Sequence, residues 1–307
     1  AKDANLSSKL FVTKDASLNS TLYVQGTTTM VGATSLSDSL TVTNDANMSS
    51  KLFVTKDASL NSTLYVQGAT TMVGAASFSD SLTVAKDANL SSKLFVTKDA
   101  SLNSTLYIQG ATTMVGAAAL SNTLTVAKDS TLSSKLFVTK DASLNSTLYV
   151  QGATTMVGAA SLSDTLTVTK DASMNSNLYV SKDANLKSNL YVTEDASLNS
   201  TLYVQGATTM VGATSLSDSL TVANDANLSS KLYVTKDASL NSTLYVQGAT
   251  TMVGAASLSD TLTVTKDASM NSNFYVSKDA NLKSNLYVTK DASLNSTLYV
   301  QGATTMV

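Results

Sequence analysis

The chain repeats one hydrophobic pattern every six residues. Cut into sixes from residue 1, it gives 51 complete hexads and one remaining residue, Val307. Position 6 of every hexad is Leu, Val, Met, Ile or Phe, and position 4 is Ala, Leu, Thr or Ser except at Phe274. Position 5 carries mostly Tyr, Phe, Ser, Thr or Asn. Because alternate residues of a β-strand face the same side, positions 4 and 6 predict an inward-facing pair on a half-buried strand.

The first three positions of the hexad predict a corner. All thirteen Gly fall at position 2, and every Lys and Asp falls at positions 1 to 3. Gly, Asn, Asp and Ser are the residues that turns favour. A helix would need apolar spacing near 3.6 residues, so a six-residue repeat would drift around its surface. The predicted fold class is all-β, a β-solenoid of six-residue strand-and-corner repeats that runs as one continuous array over residues 1–307.

A longer period is superimposed on the hexad. Hexads with a small residue at position 4 ("TKDASL") alternate with hexads that have Leu there ("NSTLYV"). Two glycine hexads ("QGATTM", "VGAASL") and "SDSLTV" complete a unit of seven hexads, which begins at residues 1, 43, 85, 127 and 223. The unit that begins at residue 169 has nine hexads because it contains one extra pair. Since both ends lie inside the repeat, we interpret the chain as a fragment of a longer fibre without visible caps.

Charge stacking favours three sides. Strands in neighbouring coils lie about 4.8 Å apart, and like charges placed directly opposite are destabilising. A two-sided coil of two hexads would stack Asp3 on Asp15, whereas in a coil of three hexads no "KD" hexad lies on another. We therefore predict a three-sided solenoid. Two versions stay open, a single winding chain and an intertwined homotrimer, because symmetry would place the same hexad on all three faces of a trimer.

The composition argues against several functional classes. The chain has no Cys, His, Trp, Pro or Arg, and its formal net charge is −2. A near-neutral charge predicts no nucleic-acid partner, and no apolar run approaches the roughly 20 residues needed for membrane insertion. The missing Cys excludes disulfides and thiolate metal sites. No acid, base or nucleophile stands apart from its repeats, so we expect no enzyme activity, no catalytic residue, no metal site and no cofactor.

Outward aromatic side chains are the first candidate binding residues. Position 5 carries the tyrosines of the "LYVQG" and "LYIQG" segments and also Phe11, Phe53, Phe95 and Phe137. These rings could contact glycans or neighbouring fibres; packing of rings on side chains of adjacent strands is the alternative that we weigh more heavily. The candidate tyrosines are Tyr23, Tyr65, Tyr107, Tyr149, Tyr203, Tyr245 and Tyr299.

Asparagine sequons form a second candidate set. In a eukaryotic secretory route they would be exposed acceptors for N-glycosylation, although Asn, Ser and Thr are also ordinary corner residues. Asp15, Ser17 and Asn19 have the alternate spacing that opens a calcium loop, but corner hydrogen bonding and Lys–Asp pairing between coils are the preferred interpretation. The "NST" sequons begin at Asn19, Asn61, Asn103, Asn145, Asn199, Asn241 and Asn295, and the "NLS" or "NMS" sequons at Asn5, Asn47, Asn89 and Asn227.

Two resemblances bear on fold and function. The inward pair Ala16 and Leu18 resembles the left-handed β-helix of hexapeptide-repeat proteins, from which Leu22 and Leu64 depart because that family has a small residue at their position. The phrase "D-A-S-L-N-S-x-L-Y-V" resembles the repetitive fibre-like proteins of large algal DNA viruses. That resemblance covers the whole chain and implies a virion-surface or tail-type fibre.

We therefore expect a structural fibre or stalk, an extended rigid filament used for attachment on a virion or cell surface. Its expected location is extracellular, and its expected partners are copies of itself, as a homotrimer or through lateral or end-to-end contacts, and host-surface glycans. The alternative is an ice-binding or surface-scaffold solenoid of a microbe. Ice binding would use flat Thr arrays, but outward Thr residues recur only a few times in each seven-hexad unit.

Overall fold

The computed structural model describes residues 3–307, and its regular secondary structure consists of β-strands of three residues each. Every strand occupies positions 4 to 6 of a hexad, and the corners occupy positions 1 to 3, as the sequence predicts. The chain forms two compact units, Ala1–Gly152 and Ala153–Val307. Each unit is a three-sided β-solenoid.

The strands of the first unit are β1 (Ala4–Leu6), β2 (Leu10–Val12), β3 (Ala16–Leu18), β4 (Leu22–Val24), β5 (Thr28–Met30), β6 (Thr34–Leu36), β7 (Leu40–Val42), β8 (Ala46–Met48), β9 (Leu52–Val54), β10 (Ala58–Leu60), β11 (Leu64–Val66), β12 (Thr70–Met72), β13 (Ala76–Phe78), β14 (Leu82–Val84), β15 (Ala88–Leu90), β16 (Leu94–Val96), β17 (Ala100–Leu102), β18 (Leu106–Ile108), β19 (Thr112–Met114), β20 (Ala118–Leu120), β21 (Leu124–Val126), β22 (Ser130–Leu132), β23 (Leu136–Val138), β24 (Ala142–Leu144) and β25 (Leu148–Val150).

The strands of the second unit are β26 (Thr154–Met156), β27 (Ala160–Leu162), β28 (Leu166–Val168), β29 (Ala172–Met174), β30 (Leu178–Val180), β31 (Ala184–Leu186), β32 (Leu190–Val192), β33 (Ala196–Leu198), β34 (Leu202–Val204), β35 (Thr208–Met210), β36 (Thr214–Leu216), β37 (Leu220–Val222), β38 (Ala226–Leu228), β39 (Leu232–Val234), β40 (Ala238–Leu240), β41 (Leu244–Val246), β42 (Thr250–Met252), β43 (Ala256–Leu258), β44 (Leu262–Val264), β45 (Ala268–Met270), β46 (Phe274–Val276), β47 (Ala280–Leu282), β48 (Leu286–Val288), β49 (Ala292–Leu294), β50 (Leu298–Val300) and β51 (Thr304–Met306).

Within each unit every strand pairs in parallel with the third strand along the chain. In the first unit β1, β4 and β7 begin one sheet, β2, β5 and β8 the second, and β3, β6 and β9 the third. The register is constant at three hexads, so that Leu64 lies between Ala46 and Leu82. The second unit has the same register, for example Leu190 with Thr208. One chain therefore supplies all three sides of each coil, which is the single-chain version of the predicted fold.

The core lies inside the triangle of sheets and is lined by positions 4 and 6. Leu64 and Val66 are fully buried, whereas Tyr65 between them is 39% exposed. The same alternation holds in both units and confirms the predicted inward and outward positions. Lining every coil with large aliphatic side chains removes apolar surface from water along the whole ladder, and this burial is the main stabilising contribution of the fold.

The core accommodates Leu at position 4 because each coil combines large and small residues at that position. Any three successive hexads contain one or two large residues at position 4, never none and never three. One coil combines Leu22 with Thr28 and Thr34, and another combines Leu40 and Leu52 with Ala46. The departure of Leu22 and Leu64 from the hexapeptide-repeat pattern therefore leaves the winding intact, since the volume is balanced within the coil.

The seven-hexad period makes the three sheets of the first unit alike. Seven hexads are two coils of three hexads and one further hexad, so each repeat begins one side further around the triangle. The strand order "ANL" or "ANM", "LYV" or "LYI", "LTV", "ASL" accordingly begins at β1 in the first sheet, β8 in the second and β15 in the third. Each outward face thus carries nearly the same residues in the same order.

One polar feature of the core recurs with the glycine hexads. The hydroxyls of Thr28, Thr70 and Thr112 point inward, are buried, and have no hydrogen-bond partner within residues 3–307. Thr34, on the hexad that follows Thr28, donates to the Met30 sulfur at 2.9 Å. A buried hydroxyl without a partner costs free energy, so the three unpartnered residues fill volume beside Leu neighbours at the expense of some stability.

We expect Leu64→Asp to destabilise the first unit by several kcal/mol, because it places a carboxylate without a partner among apolar side chains. The matched control is Tyr65→Asp, one residue away on the outward face. Thermal unfolding followed by circular dichroism, together with resistance to proteinase K, measures both. Equal melting temperatures for the two variants would contradict the inward and outward positions described above.

Candidate functional site

The charged side chains lie at the corners, and their carboxylates accept hydrogen bonds from backbone N–H groups of the next coil. Asp87 accepts a hydrogen bond from Ser104 Oγ at 2.5 Å and from the Thr105 backbone N–H at 3.1 Å. Asp171 accepts in the same way from Ser188 and Asn189, at 2.6 and 3.1 Å. A carboxylate at position 3 therefore binds the position-3 N–H of the hexad directly above it in the next coil, which satisfies a backbone donor at the corner.

A second kind of corner places glycine over the carboxylate. Asp57 accepts from the Ala75 N–H at 2.7 Å, and Gly74 lies on the Lys56–Asp57 backbone, where a Cβ would overlap the Asp57 carboxylate. Gly74 N–H also donates to the Lys56 carbonyl at 3.2 Å. No glycine in the described residues has a positive φ. A Cβ at these corners would therefore be costly, and the cause is close approach between coils rather than backbone conformation.

Asparagine performs the same task as aspartate in the second unit. Asn189 accepts from the Ala207 N–H at 2.9 Å, and Asn177 accepts from the Asp195 N–H at 3.1 Å. At these corners a neutral amide oxygen at position 3 therefore accepts the same backbone hydrogen bond as a carboxylate.

Lysine and aspartate pair between successive coils on the corners. Lys56 Nζ lies 3.3 Å from Asp38 and Lys98 Nζ lies 3.2 Å from Asp80. Three further pairs have the same three-hexad spacing in the second unit, Lys182–Asp164, Lys236–Asp218 and Lys278–Asp260. These pairs confirm the predicted Lys–Asp pairing between coils. The lysines are 63–66% exposed, so their contribution to stability is small.

Hydrogen bonds set the acidity of the corner carboxylates. The Ser104 hydroxyl and then the Thr105 N–H lower the pKa of Asp87 below its usual value. Ser188 and Asn189 lower the pKa of Asp171 in the same way. In the paired corners the Lys182 ammonium lowers the pKa of Asp164. All of these groups stabilise the ionised carboxylate, so they hold it charged at neutral pH.

The faces between corners carry the candidate aromatic residues and no charge. All seven predicted tyrosines occupy the outward position of their strands, with exposures that reach 52% at Tyr299. Small polar residues flank an aromatic ring within a sheet; Tyr65, for example, pairs in register with Asn47 and Thr83. Charged residues are absent from position 5 throughout the sequence. The faces therefore offer neutral aromatic, amide and hydroxyl groups.

One surface groove brings a predicted tyrosine together with residues that the sequence reasoning did not single out as a set. It is lined by Asn5, Leu6, Ser7, Tyr23 and Gln25. Tyr23 pairs in register with Asn5, and the Gln25 N–H donates to the Leu6 carbonyl at 2.8 Å. The signal was present in the sequence, since a Gln follows each of the seven tyrosines by two positions.

The sequon asparagines are exposed, and the Ser that follows several of them has a structural task. Ser62 Oγ donates to Asp45 at 2.5 Å, and Ser242 Oγ donates to Asp225 at 2.6 Å. These hydroxyls bind corner carboxylates, which supports the corner interpretation of "NST". Glycosylation of the asparagines stays a prediction. Exposed side chains are found at Asn19, Asn61, Asn103, Asn145, Asn199, Asn241 and Asn295.

Within residues 3–307 no three acidic, His or Cys residues gather in a group that could hold a metal ion. Asp15, from the calcium-like spacing, instead accepts from the Ala33 N–H at 2.7 Å. In the same described range no helix is long and apolar enough to cross a membrane. The outward side chains are uncharged, so they can donate and accept hydrogen bonds and can present aromatic rings to a partner.

The fold places the chain in the structural class of three-sided β-solenoids. No protein-family model, curated protein or solved structure matches it. Arguments about function therefore depend on the corners and faces of this chain alone.

We expect acidification to destabilise the fold through the corner carboxylates. Their folded pKa values are lowered, so the stability that they contribute is present above the unfolded pKa of about 3.9 and is lost as pH falls through the lower folded values. The variant Asp87→Asn/Asp171→Asn/Asp267→Asn should keep its melting temperature at pH 7, because Asn189 shows that an amide oxygen suffices. Between pH 5 and pH 2 its melting temperature should fall less than that of the parent, which thermal unfolding followed by circular dichroism measures.

The companion variant Ser104→Ala/Ser188→Ala/Ser284→Ala removes the first cause of the lowered pKa values and leaves the carboxylates in place. Its acid sensitivity should also decrease, although its stability at pH 7 should fall. A triple Asn variant that melts with the same pH dependence as the parent would contradict this role of the carboxylates.

Proposed function

We propose that the chain forms part of a rigid structural fibre or stalk on a virion or cell surface, where it serves attachment. The observation that carries the proposal is the uniformity of each unit. Every coil repeats the same ladder and the same kind of core, so coils can be added by duplication without a new fold. Selection for length explains such a sequence, whereas selection for a single active site does not.

The ladder also supports the mechanical part of the proposal. Hydrogen bonds within each unit join every coil to its neighbours at strands and corners alike, as between Leu64 N–H and Ser81 O at 3.0 Å, and between Gln67 N–H and Met48 O at 2.8 Å. Opening one coil would break the hydrogen bonds of its three strands to the neighbouring coils and expose part of the apolar core. A rod built in this way resists bending and proteolysis.

The surface favours display on all sides. Because the first unit repeats nearly the same residues on its three faces, a partner could approach a fibre from any direction and meet the same chemistry. The resemblance of "D-A-S-L-N-S-x-L-Y-V" to fibre-like proteins of large algal DNA viruses is the reason for preferring a virion surface to a microbial one.

Self-association is part of the proposal. Lateral contacts between copies would bury outward apolar side chains such as Val73 and Phe95, which are 44% and 41% exposed. Homotrimers and end-to-end contacts are the other arrangements in which copies of a fibre segment could assemble.

Ice binding receives little support from the outward rows. Thr41 lies between Tyr23 and Ser59, and Thr83 lies between Tyr65 and Ser101. Rows of Thr are therefore interrupted at almost every coil, which weighs against a flat array matched to ice.

Immunogold electron microscopy tests the proposed location. Antibodies raised against the purified chain should label fibres that project from virions, or from the surface of cells that produce them, with gold repeated along each fibre. A matched serum absorbed with the same chain is the control. Gold confined to the cell interior, away from virions and from the cell boundary, would contradict a surface fibre.

A further inference from the structure

The seven predicted tyrosines share a setting that the other outward aromatic residues lack. Each is followed by a Gln at the next corner, and six of them also pair with an Asn in the coil before. The six complete sets contain Tyr23, Tyr65, Tyr107, Tyr203, Tyr245 and Tyr299, together with Asn5, Asn47, Asn89, Asn185, Asn227 and Asn281 and with Gln25, Gln67, Gln109, Gln205, Gln247 and Gln301.

The backbone of each Gln is fixed while its side chain stays exposed. Gln67 N–H donates to the Met48 carbonyl at 2.8 Å, and Gly68, the next residue, packs on the preceding coil so closely that a Cβ would lie 2.5 Å from the Ser50 carbonyl carbon. Asn47 is also exposed, one ladder step below Tyr65. The backbone that carries the ring and both amides is thus fixed by strands and corners, which lowers the entropic cost of binding.

The chain itself contains a comparison that points to the tyrosine hydroxyl. In the "SSKLFV" hexads position 5 is Phe11, Phe53, Phe95 or Phe137, and only in the copy at Tyr233 is it Tyr. In the hexads that precede "QG" it is Tyr in all seven copies. The exposures are similar, 39% at Tyr65 and 40% at Phe53, so ring burial does not distinguish the two kinds of position. The tyrosine hydroxyl, which lies beside the Gln at the next corner, is the feature that distinguishes the tyrosine positions from the phenylalanine positions.

Charge narrows the chemistry of the partner. The neighbouring carboxylates are occupied, Asp45 by Ser62 and the Thr63 N–H, and Asp80 by Lys98. The face itself contributes only the phenol, amides and hydroxyls. An aromatic ring flanked by amides suits a ligand with an apolar ring face and many hydroxyl groups.

We infer that the outward Tyr–Gln sites, in each of which a Tyr lies beside the Gln two residues on and, at six of the seven, over an Asn of the preceding coil, are binding sites for neutral saccharide chains. The ring stacks on one face of a sugar, and the phenol hydroxyl together with the Gln and Asn amides hydrogen-bonds the sugar hydroxyls. Tyr245 and Tyr299 lie on one sheet of the second unit, nine hexads or three coils apart, so a polysaccharide can engage both at once and gain avidity. This inference rests on the proposed surface fibre, because it names the partner used for attachment.

Saturation-transfer NMR and titration calorimetry with cellohexaose, chitohexaose and mannohexaose test the inference on the full chain. We expect at least one of the three to bind at millimolar concentration or below. Tyr→Phe at residues 23, 65, 107, 149, 203, 245 and 299 should weaken that binding at least fivefold and leave the melting temperature unchanged. A Gln→Ala variant at the seven following glutamines should act in the same direction.

The matched control is Phe→Ala at residues 11, 53, 95 and 137, which removes exposed rings without touching a Tyr–Gln site and should leave saccharide binding unchanged. No binding of any hexasaccharide, or equal loss in the control, would overturn the inference. So would sedimentation showing that the Tyr→Phe change abolishes lateral association of the parent instead, because a second copy would then be the occupant. Surface labelling by immunogold without saccharide binding would overturn this inference alone.

Discussion

In-register stacking at a spacing of three hexads is the constraint on which the rest of the structure depends. Each residue lies directly over the residue three hexads earlier. Every side chain must therefore be compatible with its neighbours in the coil before and in the coil after, as Leu64 is with Ala46 and Leu82. Apolar positions satisfy this rule simply by being apolar. Charged positions satisfy it through order along the chain: Asp38 meets Lys56, and Asp57 meets glycine and a backbone N–H. In a parallel ladder, compatible residues in register stabilise every coil, whereas like charges in register would repel.

The same constraint gives the seven-hexad period a physical meaning. A period of two or three whole coils would place every aromatic residue of a given kind on one face and every glycine corner on one edge. Seven hexads advance one side per repeat, which distributes both among all three sheets of the first unit. The unit of nine hexads is three whole coils and leaves the next repeat on the side where it began. Surface chemistry is thus repeated around the solenoid as well as along it.

Much of the fold could be predicted because its rules are local and periodic. The spacing of Leu64 and Val66 predicts which side chains are buried, and the position of Asp3 relative to Asp15 selects three sides over two. The sequence left the number of chains open, since a single chain and an intertwined trimer stack compatible hexads equally well. It could not show which atom each Asp contacts, because that depends on how closely two corners approach.

The candidate site was predictable only in part for a similar reason. The outward tyrosines follow from alternation along the strand, and their position is confirmed. Their grouping with Asn and Gln depends on residues three hexads away, as with Asn5 and Tyr23, and becomes evident only when the coil length is known. The Ser of the "NST" sequons likewise acquires its role from an Asp in the preceding coil. Asp15 of the calcium-like spacing likewise binds a backbone N–H of the next coil, that of Ala33.

The most direct test of this account is a distance between two spin labels on one face. Thr41 and Thr113 are outward residues of one sheet, joined through Ser59, Ser77 and Phe95 by four ladder steps. Since the chain has no Cys, Thr41→Cys and Thr113→Cys allow specific labelling, with unlabelled chain added in excess. Double electron–electron resonance should give a distance of about 19 Å, from four steps of about 4.8 Å. A distance of about 58 Å, twelve layers of an intertwined trimer at the same spacing, would contradict a single chain that closes its coil every three hexads.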